Sequence, residues 1–222
     1  DNLVMIDNIA INKVVADKLG KFLGPLFVNT DKATGQLRVT FVKCTRFPLG
    51  ELMNDRGPAN DGFAEVSLNI VDLELLGGFA GSIVRDIGGL GQVFVGNVKD
   101  ARFVAKNGVV SQELPIALGK GVTADIRFSG NIELAPPQRL VPLQVRVGSA
   151  LLRNRIPLIR EGIQLADPVF VITGTVSQPR LDLAKGIQQW IRDQAGGILP
   201  GLLGGQRGGS SAPPAAPGAA ST

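Results

Sequence analysis

Glu65, Asp72 and Glu74 are the residues whose type and spacing come nearest to acid–base chemistry. Two neighbouring carboxylates can divide the roles of proton donor and acceptor. Each of these, however, alternates with apolar neighbours. Glu65 lies between Ala64 and Val66, and Asp72 and Glu74 are interleaved with Val71, Leu73 and Leu75. That pattern makes them outward charges on a half-buried strand. Histidine is absent, which removes the commonest general base and metal ligand. No Ser-His-Asp or Cys-His arrangement can form. The single cysteine, Cys44, has no internal disulfide partner and reads as a buried thiol beside Val42. The glycine clusters 88–91 and 119–121 match neither a phosphate loop nor a dinucleotide fingerprint. Gly119-Lys120-Gly121 reads instead as a tight turn. Gly20 and Gly24 have GxxxG spacing, but Lys21 and an amphipathic pattern argue against a membrane dimer motif. The sequence predicts no catalytic residue, no metal and no cofactor.

Composition points the same way. Of 222 residues, 44% are hydrophobic and 19% charged, enough apolar surface for a core. The 29 glycines and 14 prolines suit many short strands and turns. The net charge of +4 is scattered, and aromatics are only 5%, so the chain lacks the basic stripe and stacking platform of a nucleic-acid binder. No apolar run reaches the ~18 residues of a spanning helix. The sequence opens at Asp1 inside a strand pattern and reads as a fragment or processed product.

The elements that would position any site follow from periodicity. Leu3–Ile6 reads as a strand. A helix is expected from Lys13 to about Leu23, capped by Asn12 and ended by Gly24-Pro25. Strands are expected over Gly35–Cys44 and Phe63–Leu75. In the second, the apolar phase switches from Ala64, Val66, Leu68 and Ile70 to Val71, Leu73 and Leu75, which predicts a β-bulge. Leu76, Phe79, Ile83, Ile87 and Leu90 predict a second helix. Strands follow over Val93–Val98, Ala101–Ala105, Val109–Leu118, Thr123–Leu134, Leu140–Val147 and Val169–Val176, with Asn107-Gly108 as a hairpin turn. A third helix starts at Asp182 and is expected to stop at Gly196-Gly197. Pro48–Gly62 reads as a loop. The sum is an α+β domain over 1–203: a curved, mainly antiparallel sheet with two or three amphipathic helices. Residues 204–222, rich in Gly, Ala, Pro and Ser, form a tail expected to be disordered.

A sheet with one oily face must cover it with helices, another sheet or a greasy ligand. Two outcomes stay open: a dry core sealed by helices, or a groove that shields acyl chains. In the second, alternation selects Val66, Leu68, Ile70, Ile126, Phe128, Leu143, Val145 and Val147 as lipid-facing. In the first, Trp190, Ile191, Leu199 and Leu202 form a patch on which a partner could dock.

Several stretches resemble the C-terminal region of AsmA-like proteins, particularly planctomycete-type ones. Residues 9–27, IAINKVVADKLGKFLGPLF, resemble a strand-to-helix entry ending near a proline. Gly35-Gln36-Leu37 resembles the start of the next strand, which runs down to Phe47-Pro48-Leu49. Segments 62–75, 98–110 and 122–134 are similar to successive family strands. Residues 171–183, VITGTVSQPRLDL, with Gly174-Thr175 and Pro179, are similar to the close of the domain. The resemblance implies a β-groove in a bacterial envelope protein, anchored in the inner membrane and projecting into the periplasm. It implies phospholipid or another lipid as partner, an envelope protein as a further one, and a role in lipid movement and outer-membrane homeostasis. It carries over no catalytic residue.

Overall fold

A computed structural model describes residues 3–45, 62–88, 91–119, 124–152 and 166–204. Among the described residues, nine strands form one sheet in which every strand lies beside its neighbours in sequence, all antiparallel. They are β1 (Leu3–Ala10), β2 (Thr30–Thr45), β3 (Phe63–Gly77), β4 (Val93–Lys106), β5 (Val109–Leu118), β6 (Asp125–Glu133), β7 (Leu140–Val147), β8 (Val169–Gly174) and β9 (Pro179–Leu181). Three helices accompany them: α1 (Lys13–Leu23), α2 (Gly78–Gly88) and α3 (Leu183–Gly204). The mainly antiparallel α+β architecture read from the sequence therefore holds. The expected curvature does not. The sheet neither curls nor closes, and β1 and β9 are its two edges. Its oily face is met by helices rather than by rolling up on itself.

Local chemistry explains the elements. The Asn12 side chain accepts from Val15 N–H at 3.0 Å, capping α1, and Asp182 accepts from Lys185 N–H at 3.0 Å at the start of α3. Asn107 and Gly108 both take positive φ, 52° and 72°, as a two-residue hairpin turn between β4 and β5 requires.

Opposed bulges keep the side-chain alternation in phase. On β3 the expected bulge is present, but Val71 points outward at 54% exposure, and the buried series runs Leu68, Ile70, Leu73, Leu75. Asp72 takes φ 52° there, and its N–H donates to Asn97 Oδ1 at 2.9 Å. On β4, Asp100 takes φ 54° and donates to Asn69 Oδ1 at 2.8 Å. Each strand thus gives up one residue of register, and a side-chain amide of the other satisfies the freed N–H. The segments read as two strands, 93–98 and 101–105, are one strand bent at this bulge. Another bulge lies on β7. Gly130 pairs with Leu143 and Asn131 with Val141, which leaves Pro142 unpaired, and proline has no N–H to lose.

The buried face is continuous from β2 to β8 and carries Leu37, Leu73, Phe94, Ile116, Phe128 and Phe170, among others, all at or below 1% exposure. Helix α2 packs over β2, β3 and β4, α1 over β2, and α3 over β8. Two 3-10 turns, Pro25–Phe27 and Ser149–Leu152, insert Leu26, Phe27, Leu151 and Leu152 into the same core. The opposite face carries the cross-strand pairs Arg102–Glu65 at 2.8 Å and Arg127–Glu113 at 3.4 Å.

Other expectations are corrected. Cys44 is exposed, not buried. The described pairing of β1 begins at Leu3 opposite Phe41, so Val42–Thr45 have no described strand on that side. Helix α3 runs through Gly196-Gly197 to Gly204: glycine lowers helix stability without forcing an end. Pro179 opens β9, a short strand that periodicity does not predict, and as the first residue of an edge strand it forfeits no ladder bond. The readings for Gly119-Lys120-Gly121, the 48–62 loop and the 204–222 tail fall wholly or mostly outside the described residues.

Gly130 combines φ 137° with a close approach to the backbone of Pro142 and Leu143. Gly130→Ala is expected to cost about 3 kcal/mol or more and to lower the thermal midpoint by roughly 6–12 °C. A calorimetric scan within about 2 °C of wild type would contradict this account of the β6–β7 register.

Candidate functional site

The structure brings the eight residues selected as lipid-facing onto one face, as alternation required, but at the centre of a packed core. Leu68 and Phe128 are 1% exposed, and Ile70, Ile126, Leu143, Val145 and Val147 are 0%. Val66 alone is partly exposed. Seven of the eight are therefore occupied by the chain's own packing, beneath the helices and the 3-10 turns. The carboxylates are on the other face or its bulge, as read. Glu65 receives Arg102 Nε at 2.8 Å. Among the described residues, no three His, Cys, Asp or Glu side chains gather as a metal set.

The oily face is nevertheless larger than its cover, at a place the alternation argument did not select. Along one register row, Phe103 is 5% exposed, Val66 and Phe41 are half-buried, and Leu3 is 61% exposed. The neighbouring rows end likewise, at Ile6 beside Val39 and at Ile9 (46% exposed) beside Leu37. Val4 and Met5 add exposed apolar surface on the same strand. Among the described residues, β1 also pairs with β2 alone, so its outer row of backbone N–H and C=O groups has no described strand to bond. The sequence did hold a signal for this edge. Leu3–Ile6 is apolar at every position, as in a strand covered on both faces, yet here it stands at a margin.

The partner-docking patch is dispersed. Trp190 is 8% exposed and donates its indole N–H to the Ala166 carbonyl at 2.8 Å, so it anchors α3 to the core. Ile191 is 45% exposed. The side chains of Leu199 and Leu202 lie outside the described set. Beside Trp190, α3 and β8 bound a groove of about 820 Å³.

Among the described residues, one buried side-chain amide has no partner. Gln112 is 5% exposed on the core face of β5, opposite Gly130, and neither its Oε1 nor its Nε2 bonds a described residue. Gly24 covers it so closely that an added Cβ would lie 2.9 Å from Nε2.

No family model, no curated protein and no solved structure matches this chain.

An unpaired buried amide costs about 1–3 kcal/mol. Gln112→Met keeps the volume and removes both orphan atoms. It is expected to raise the thermal midpoint by about 2–12 °C. A lowered midpoint would instead mean that the amide has a partner, such as an ordered water.

Proposed function

We propose that this chain is a non-enzymatic module of a bacterial envelope protein of the AsmA-like kind. Its dry core caps an apolar β-sheet, and further strands extend that sheet from β1. One observation carries the reading: the oily row Phe103–Val66–Phe41–Leu3 runs out from under the helices and ends on an edge with no described strand beyond it. A strand laid on β1 would satisfy its open backbone groups and continue the apolar face. The periplasmic setting, the inner-membrane anchor elsewhere in a longer parent and the envelope partner rest on the sequence resemblance.

A second reading keeps the lipid. Val39, Phe41 and Val66 are half-buried beside exposed Leu3, and a hydrocarbon tail along that strip would gain about 0.8 kcal/mol per methylene covered. In this form the groove is curved and completed only when more strands join. The central residues first selected for acyl chains take no part in it.

Two measurements separate the readings. In sedimentation velocity at high protein concentration, the exposed edge is expected to make the chain associate reversibly. Leu3→Lys with Ile9→Lys should abolish association while moving the thermal midpoint by less than about 3 °C. A wild-type chain that stays monomeric throughout would overturn the strand-extension reading. In native mass spectrometry of protein purified from membranes, bound phospholipid that is lost in Phe41→Gln would favour the lipid reading.

A further inference from the structure

Twice along the chain the same construction appears: a strand, an 11-residue helix and an antiparallel return strand, first as β1–α1–β2 and then as β3–α2–β4. The likeness extends to single residues. In the first, Ile6 pairs with Val39 and Ile9 with Leu37; in the second, Ile70 pairs with Val98 and Leu73 with Gly96. Each first strand therefore carries one residue more than its return strand at this point, a bulge. The second bulged residue takes positive φ in both, 56° at Asn8 and 52° at Asp72. Beyond the bulge, Ile11 and Leu75 are buried at equal spacing, and so are the helical residues Ala16 and Ala80, both at 0% exposure.

The two differ in what lies beside the first strand. On its far side β3 has β2, and α2 packs over β2 as well as over β3 and β4. Among the described residues no strand takes that place beside β1. Equivalent positions show the consequence. Leu73 is 0% exposed and Ile9 46%; Ile70 is 0% exposed and Ile6 half-buried. Strand β1 thus has the exposure expected of β3 with β2 taken away.

The β2–β3 ladder shows what fits such an edge. Leu37 lies opposite Ile70 and Ala33 opposite Leu75, so apolar residues continue the buried rows. Between them Gly35 meets the bulge. It takes φ 145°, and a Cβ there would stand 3.2 Å from both the Val71 carbonyl oxygen and the Leu73 Cα. An edge bulged in this way is therefore matched by a strand with glycine at the bulge and apolar residues two positions to either side of it. On β1 the counterparts of Ile70, Asp72 and Leu75 are Ile6, Asn8 and Ile11. A second copy of the chain fits less well: its β2 is held between β1 and β3, and its β1 contains no glycine.

On the strand-extension reading, on which this rests, we infer that β1 seats a partner protein's strand that repeats the pattern of β2. That strand runs antiparallel to β1, with a glycine against the Asn8 bulge and apolar residues opposite Ile6 and Ile11. The probe is a fluorescent, acetylated peptide with the sequence of residues 32–41, KATGQLRVTF. Anisotropy titration against the full chain is expected to show binding, and amide exchange along β1 should slow in the complex. Gly35→Val in the peptide should weaken binding at least tenfold. Valine favours an extended chain elsewhere, so that loss reports the bulge. Scrambling the peptide should weaken binding as much, and Leu3→Lys with Ile9→Lys in the chain should abolish it. Undiminished binding of the Gly35→Val or scrambled peptide, or of the original peptide to the doubly substituted chain, would overturn the inference. If the chain self-associates in sedimentation yet the peptide does not bind, strand extension stands and the β2 pattern falls. If neither occurs, both fall.

Discussion

Side-chain phase is the constraint on which this structure depends. In a sheet of strands paired in sequence order, a slip of one residue turns a strand's apolar set to water. Nine strands multiply that risk, and several here do not alternate evenly. The molecule absorbs each slip at a bulge. Asp72 on β3 and Asp100 on β4 offset one another, and Asn97 and Asn69 satisfy the two displaced N–H groups. On β7 the surplus residue is Pro142, which has no donor to strand. Because the phase survives, one face can collect Leu37, Ile70, Val98, Ile116, Phe128, Val145 and Phe170 into a single core.

Cover is the second requirement, and it is uneven. Helix α2 and the two 3-10 turns press on the middle of the sheet, and burial there is complete. Toward β1 the helices stop short, and exposure rises row by row until Leu3 and Ile9 meet solvent. Toward β9 the sheet thins to three residues, and α3 bridges over β8 through Gly186 and Trp190. The core is therefore closed at its centre and increasingly exposed toward β1. A site that is absent from the middle can still be present at an edge, where backbone and apolar side chains are exposed together.

Much of the fold was legible. Helix α1 matched its sequence bounds because a cap, a periodic stripe and a Gly-Pro end agree. Strands β5 and β7 and the Asn107-Gly108 turn matched for the same reason: local preferences concur with the pattern. Strand β9 was missed because three residues carry no periodicity. Gly196-Gly197 misled because glycine is a cost to a helix and not a barrier. Cys44 misled because an apolar neighbourhood in sequence says nothing about whether a strand lies alongside. The eight residues first chosen for lipid do share one face, as their alternation said they must.

What the sequence determined alone is which residues turn to the same side, since that follows from a backbone period of two and the bulges that correct it. It determined also that no histidine-based chemistry can operate here. What only the tertiary structure decided is which part of the oily side stays uncovered. Covering depends on where α1, α2 and α3 end relative to strands distant in sequence, and on β1 falling at a margin. A strand's own residues specify the direction of its side chains, but not what is packed above them.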